Sequence, residues 1–181
     1  TDFETSFAAY HNTTFASGCN SGTDALFLGL KALGIGAGDE VITSTFTFIA
    51  TAEAICMTGA TPVFVDITAE SFNLDLDQLV AAITPQTKAV IPVHLFGRPV
   101  DMDKLMAIAT KHNLKVIEDC AQATGAKWGD QKVGAIGDVG CFSFFPTKNL
   151  GGCGDGGAIT TNNETLINEF AMLRQHGSKI R

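Results

Sequence analysis

The sequence predicts an α/β fold of three layers, α/β/α, with a mostly parallel sheet of about seven strands and helices on both faces. Three observations carry that prediction. Short β-rich runs alternate with helix-periodic stretches, the strand runs are rich in Val and Ile as burial on both faces requires, and no repeat, low-complexity tract or linker interrupts the rhythm. At 181 residues and 45% hydrophobic, the chain can bury a sizeable core and is expected to be one domain over 1–181.

Taken in order, a first strand is expected at 14–17. Polar capping residues and glycine then precede a helix at 23–33, whose leucines recur at helical spacing. Strands at 40–44, 62–66 and 89–93 alternate with helices at 48–58 and 76–83, the latter with Asp75 as a natural cap. Asp101 caps a further helix at 102–113, and a short strand at 115–118 runs into Asp119. An apolar strand at 139–145 should stop near Pro146, which cannot donate to a sheet ladder. A last strand at 158–161 and a last helix at 164–173 complete the pattern.

The end of the 139–145 strand is the most informative point. It delivers Lys148 to a sheet end, beside a glycine-rich turn at 151–157, and sheet ends are where α/β proteins build their sites. Lys148 is therefore a candidate nucleophile. Asp119 is a carboxylate at the end of another short strand. A lysine and a strand-end carboxylate together suggest a pyridoxal 5'-phosphate site: the cofactor is held through a lysine amine, and it stabilises carbanions while its pyridine nitrogen stays protonated. Lys148 would carry the cofactor, and Asp119 would hold the proton. The phosphate needs a helix N-terminus with free N–H groups, which Gly22 and Thr23 supply at the start of the 23–33 helix. Singly, these residues have ordinary readings as a surface lysine, a turn aspartate and a helix cap. Their order and spacing raise the functional reading above those.

Seven blocks in one order resemble a known family. They are Asn20-Ser21-Gly22-Thr23-Asp24-Ala25-Leu26, Thr45-Phe46-Thr47-Phe48-Ile49-Ala50-Thr51, Pro62-Val63-Phe64-Val65-Asp66-Ile67, Pro92-Val93-His94-Leu95-Phe96-Gly97, Glu118-Asp119-Cys120-Ala121-Gln122, Ser143-Phe144-Phe145-Pro146-Thr147-Lys148-Asn149-Leu150-Gly151 and Leu173-Arg174-Gln175-His176-Gly177-Ser178-Lys179. Together they resemble the pyridoxal phosphate-dependent sugar aminotransferases labelled DegT/DnrJ/StrS, a branch of the fold type I aminotransferases. The resemblance implies that 1–181 is a fragment, the cofactor-binding large domain without the smaller C-terminal domain.

It also implies roles. Lys148 matches the Schiff-base lysine, which also moves the proton between substrate and cofactor carbons. Asp119 matches the carboxylate on the pyridine nitrogen, and Gln122 the neighbour that hydrogen-bonds the ring's phenolic oxygen. Phe48 falls where an aromatic ring lies against the cofactor face, and Ser143 where a hydroxyl binds the phosphate alongside Gly22 and Thr23. The implied reaction takes an amino group from glutamate or glutamine to a keto group of a nucleotide-linked sugar. The His94-Leu95-Phe96-Gly97 run looks closer to members acting on 3-keto sugars than on 4-keto ones, although His94 by itself is equally a packed structural histidine. A homodimer with shared active sites is implied as well.

Composition excludes other classes. With 12 Lys+Arg against 19 Asp+Glu, a net charge of −7, the chain has no basic face for nucleic acid or an anionic membrane. Five cysteines without a CxxC pair point to reduced thiols in a cytoplasmic chain, and four histidines without metal-ligand spacing make a metal site unexpected. No apolar run approaches the roughly 18 residues of a membrane span, and no signal-peptide pattern opens the chain. Two rival readings remain. A nicotinamide-dependent Rossmann enzyme shares the βαβ rhythm, but the glycines at 34–38 follow a helix and those at 151–157 open no evident helix, which is the wrong context for a dinucleotide fingerprint. The other rival is a non-catalytic cofactor-binding or regulatory module.

Overall fold

The computed structural model describes residues 1–178. Lys179, the last residue of the seventh block, lies outside the described residues with Ile180 and Arg181.

The chain opens with a helix that the sequence reading did not assign, α1 (Asp2–His11), started by a capping box in which the Thr1 hydroxyl accepts from the Glu4 N–H. β1 (Phe15–Cys19) leads into α2 (Gly22–Ala32), capped by Ser21, whose hydroxyl accepts from the Asp24 N–H. Next come β2 (Glu40–Ser44), α3 (Ala50–Thr58), β3 (Thr61–Val65), α4 (Leu76–Ala82) and β4 (Thr87–Ile91). A 3-10 turn at Leu95–Gly97 precedes α5 (Met102–His112) and β5 (Lys115–Asp119). Asp75 and Asp101 cap α4 and α5 as expected, each accepting backbone N–H groups of the first turn. A small hairpin, β6 (Lys127–Trp128) with β7 (Gln131–Lys132), comes before β8 (Val139–Ser143), β9 (Gly157–Thr161) and α6 (Glu164–Leu173).

The large sheet has seven strands in the order β1-β9-β8-β5-β4-β2-β3. β9 pairs antiparallel with both β1 and β8, while β8, β5, β4, β2 and β3 pair in parallel. The predicted mostly parallel sheet is thus observed. Successive side chains of a strand point to opposite faces, and the buried residues sort accordingly. Val41, Ile91, Ile117, Val139 and Cys141 pack with Leu26, Leu30, Ile55 and Phe170 of α2, α3 and α6. Ile42, Val90 and Val116 pack with Leu79, Met102 and Leu105 of α4 and α5. These are the three predicted layers. A smaller cluster seats Phe7 of α1 against Phe142 and Val133, with the Phe7 and Phe142 rings edge to face at 5.0 Å.

Two boundaries differ from expectation in ways that matter for the site. β8 stops at Ser143, two residues short of the expected 145. The reason is a change of partner: the Phe144 N–H donates to the Gly156 carbonyl and its own carbonyl accepts from Gly152, so the chain turns into the glycine loop before Pro146. Helix α3 begins at Ala50, leaving Phe48 in the loop after β2, because Ile49 supplies no side-chain cap and the Thr51 N–H is the first to close a turn, onto the Phe48 carbonyl.

Phe142 is fully buried and touches both Phe7 and His11, so it joins α1 to the sheet. Phe142→Ala should cost about 3–5 kcal/mol of stability in the full-length protein, through lost burial plus the cavity left behind. A urea midpoint within error of the unaltered protein would show that α1 is not held by this ring.

Candidate active site

All the loops that leave the C-terminal ends of β1, β2, β4, β5 and β8 converge on one cavity of about 480 Å³. This is the location that the geometry of parallel sheets favours for ligands. Each of the seven residues singled out in the sequence lines it: Gly22, Thr23, Phe48, Asp119, Gln122, Ser143 and Lys148.

Asp119 is the last residue of β5 and is buried. Its Oδ1 accepts from the Ala121 N–H at 3.1 Å, and its Oδ2 from the Thr51 hydroxyl at 2.9 Å. Burial pushes this carboxyl above the usual range; the Ala121 and Thr51 hydrogen bonds, with Lys148 nearby, oppose that rise without cancelling it. A buried acid of this kind accepts a cationic partner readily, because the partner restores the stabilisation that water would have given its charge.

Lys148 is half-buried in the turn after β8, where its N–H donates to the Phe145 carbonyl at 2.8 Å. Ser143 ends β8 on the same face as Cys141, opposite Phe142, so its hydroxyl turns toward α2. There the fit is tight: a Cβ added to Gly22 would lie 2.6 Å from the Ser143 Cβ, so only glycine lets the start of α2 approach this strand. The first-turn N–H groups of Gly22 and Thr23 have no acceptor within their helix, and both residues line the cavity beside Ser143. Gln122 accepts from the Phe96 N–H at 3.0 Å through Oε1, and Phe48 is 66% exposed at the cavity wall. The cavity thus combines the N-terminus of a helix, a primary amine and a buried carboxyl.

Several lining residues had no role assigned from the sequence: Thr47 before α3, Thr51 in its first turn, Val93 after β4, Phe145, and Asp155 in the glycine loop. Thr51 had only a helix-start position to mark it, and Asp155 resembled one turn residue among glycines.

His94 is structural. It is fully buried; its Nδ1 accepts from the Val100 N–H at 3.1 Å, which leaves the ring proton on Nε2, 3.1 Å from Glu118 Oε2. Glu118 also accepts from Gly134, Ile136 and Gly137 N–H groups at 2.7–2.9 Å. Burial alone would raise its carboxyl, yet the His94 bond and these N–H groups hold it below the usual range. Cys120 lies close enough to complete a trio of potential metal donors. His94 and Glu118 are already committed, however, and burial pushes the Cys120 thiol well up, away from the thiolate a metal needs. The five cysteines are all unpaired. The Rossmann alternative fails on context, since the glycines at 34–38 join α2 to β2 at the opposite end of the strands and those at 151–157 lead into β9. Among the described residues, no helix is long and apolar enough to cross a membrane.

Comparison with known proteins agrees with this geometry. The model of the DegT/DnrJ/EryC1/StrS aminotransferase family matches residues 1–181, and the chain belongs to that family. It is 57% identical over 175 residues to the UDP-N-acetyl-3-dehydro-alpha-D-glucosamine 3-aminotransferase of Acidithiobacillus ferrooxidans, covering 97% of this chain and 47% of that protein. It is 52% identical over 176 residues to a pleiotropic regulatory protein of Geobacillus stearothermophilus, with 97% and 47% covered. The crystal structure of S. venezuelae DesV in complex with a ketimine intermediate superposes with a TM-score of 0.97 at 49% identity, over 99% of this chain and 48% of that one. The chain therefore spans about half the length of the relatives it matches.

Glu118 offers a test of the framework. A carboxyl held below its unfolded value contributes stability that is present above that value, about 4.3, and is lost as pH falls through the lower folded one. Glu118→Gln should cost about 3 kcal/mol or more near neutrality, because a buried, four-donor anion site is broken. The gap between variant and unaltered protein should narrow below about pH 4. Urea titrations across pH check this; a gap that widens on acidification would reverse the assigned sign.

Proposed function

We propose that this member of the DegT/DnrJ/EryC1/StrS aminotransferase family forms the cofactor-binding large domain of a pyridoxal phosphate-dependent enzyme. The enzyme would move an amino group from glutamate or glutamine to a keto group, at carbon 3, of a nucleotide-linked sugar. The observation that carries the reading is the meeting of Lys148, buried Asp119 and the start of α2 in one cavity. The 3-keto assignment is supported by the Acidithiobacillus ferrooxidans relative, whose name specifies a 3-aminotransferase.

The donor set fits the cofactor. A phosphate suits the N–H groups of Gly22 and Thr23 with the Ser143 hydroxyl; a pyridine nitrogen suits a carboxyl whose burial makes an isolated charge costly; an aldehyde suits the Lys148 amine. When bound, pyridoxal phosphate supplies an electron sink for carbanionic charge at the carbon bearing the amino group. The chain's own residues do the rest. Asp119 would hold the proton on the ring nitrogen, Gln122 would hydrogen-bond the phenolic oxygen, and Phe48 would lie against the ring. Lys148 would anchor the cofactor and would hold or move a proton at Nζ. The smaller C-terminal domain and the contribution of a second, identical subunit belong to the intact homodimer.

A second reading has one observation in its favour, the regulatory name of the Geobacillus stearothermophilus relative at 52% identity. It predicts cofactor binding without turnover.

Borohydride reduction of the full-length holoprotein, followed by peptide mass spectrometry, should leave a pyridoxyl mass on Lys148. A label on Lys127 or Lys132 instead would remove Lys148 from the role. In the same protein, glutamate or glutamine should abolish the visible absorbance of the bound cofactor, and a nucleotide-linked 3-ketosugar should restore it. Restoration only by amino-acid-derived keto acids would transfer the enzyme to a general aminotransferase class. Verified binding with neither half-reaction would select the regulatory reading.

A further inference from the structure

We infer that Thr51, with Thr47 behind it, is a positioning residue for Asp119 that fixes the orientation of its carboxylate and favours its ionised form. The inference rests on the cofactor site proposed above. Thr51 sits in the first turn of α3 and is 1% exposed. Its hydroxyl lies 2.9 Å from Asp119 Oδ2 and 2.9 Å from the Thr47 hydroxyl. An ionised carboxylate only accepts, so the single Thr51 proton is committed to Asp119. Thr47 must then donate to Thr51. The chain from Thr47 through Thr51 to Asp119 therefore has one direction.

That direction has a consequence for charge. Hydrogen bonds to an ionised acceptor are the strong ones, and they strengthen further where water is excluded. Asp119 has two such donors among the described residues, the Ala121 N–H on Oδ1 and Thr51 on Oδ2. The Ala121 bond is local, within two residues of the carboxylate. Thr51 is the donor that reaches it from another element, tying the end of β5 to the start of α3. The other titratable groups facing Asp119 act without hydrogen-bonding it. Lys148 favours its charge from the loop after β8, while His94, in the loop after β4, has its one ring proton directed at Glu118. Cys120 and Cys141 stay protonated through burial. Removing the Thr51 hydroxyl thus takes away one of two direct stabilisers of the anion, and it frees Oδ2 to rotate away from the cavity.

The test uses full-length holoprotein and two readouts besides turnover: the dissociation constant for pyridoxal phosphate and the pH titration of the bound cofactor's absorbance. Thr51→Val keeps the branched shape without the hydroxyl, and Thr51→Ser keeps the hydroxyl. Valine should weaken cofactor binding about tenfold and displace the titration midpoint by roughly half a unit or more. Serine should restore both, and Thr47→Val should give a smaller change in the same direction. A Thr51→Val protein that binds and titrates as the unaltered one, while Asp119→Asn does not, overturns the inference and leaves the cofactor site standing. If Asp119→Asn also changes neither readout, the proposed site fails and the inference with it. Should Thr51→Val not fold, an unchanged titration in Thr47→Val decides against the relay.

Discussion

The fold of the site depends on one buried charge, Glu118. A carboxylate without solvent is tolerated only when hydrogen bonds replace its water, and here four donors do so: His94 Nε2 and the N–H groups of Gly134, Ile136 and Gly137. Each donor comes from a segment that would otherwise have no reason to lie where it does. His94 belongs to the chain leaving β4, and residues 134–137 to the chain entering β8. The carboxylate therefore fixes both neighbours of β5 at the level of its own C-terminal end. Because successive strand residues face opposite ways, clamping Glu118 from one side of the sheet holds Asp119 on the other. The next backbone bonds confirm the register, with Asp119 N–H on the Pro92 carbonyl and His94 N–H on the Asp119 carbonyl.

This arrangement separates two jobs that adjacent acids could otherwise confuse. Glu118 is saturated with donors and held below the usual carboxyl range. Asp119, one residue on, has two donors among the described residues, and burial raises it. The first is a fixed anion that organises backbone, and the second is an acid still wanting a counter-charge. In a cavity, an unsatisfied acid is what a cationic ring nitrogen can use, and the same group would be a liability anywhere in the closed core.

How much of this was legible in the sequence follows from the range of each signal. The existence and order of the strands were readable because apolar runs and capping residues are local, and Lys148 and Asp119 stood out as candidates by residue type plus position after such runs. The helix starts at Ser21, Asp75 and Asp101 were readable for the same reason. What failed was decided at long range. The strand ending at Ser143 instead of 145 reflects bonds from Phe144 to Gly152 and Gly156, which no window around 139–146 contains. Thr51 gains its importance from a partner 68 residues away, and helix α1 from the seat that Phe142 offers Phe7. His94 could be narrowed only to two readings, since its partners, Glu118 and Val100, meet it through tertiary contacts.

The glycine-rich segment 151–157 shows why composition alone misleads about chemistry. Glycines near a lysine invite the idea of a phosphate-cradling loop, yet the helix N-terminus that lines the cavity is that of α2, at Gly22 and Thr23. The loop does steric work instead. A Cβ on Gly151 would lie 2.4 Å from the Pro146 carbonyl oxygen, so the chain can double back closely over the Pro146–Lys148 turn only where a side chain is missing. The Gly152 N–H then closes the turn onto the Phe144 carbonyl at 2.7 Å. Lys148 is thereby presented from a short, internally bonded turn at a strand end, where its own N–H is bonded to the Phe145 carbonyl. The proposed role of Lys148, an amine that would anchor a group and then move a proton, calls for such a fixed backbone.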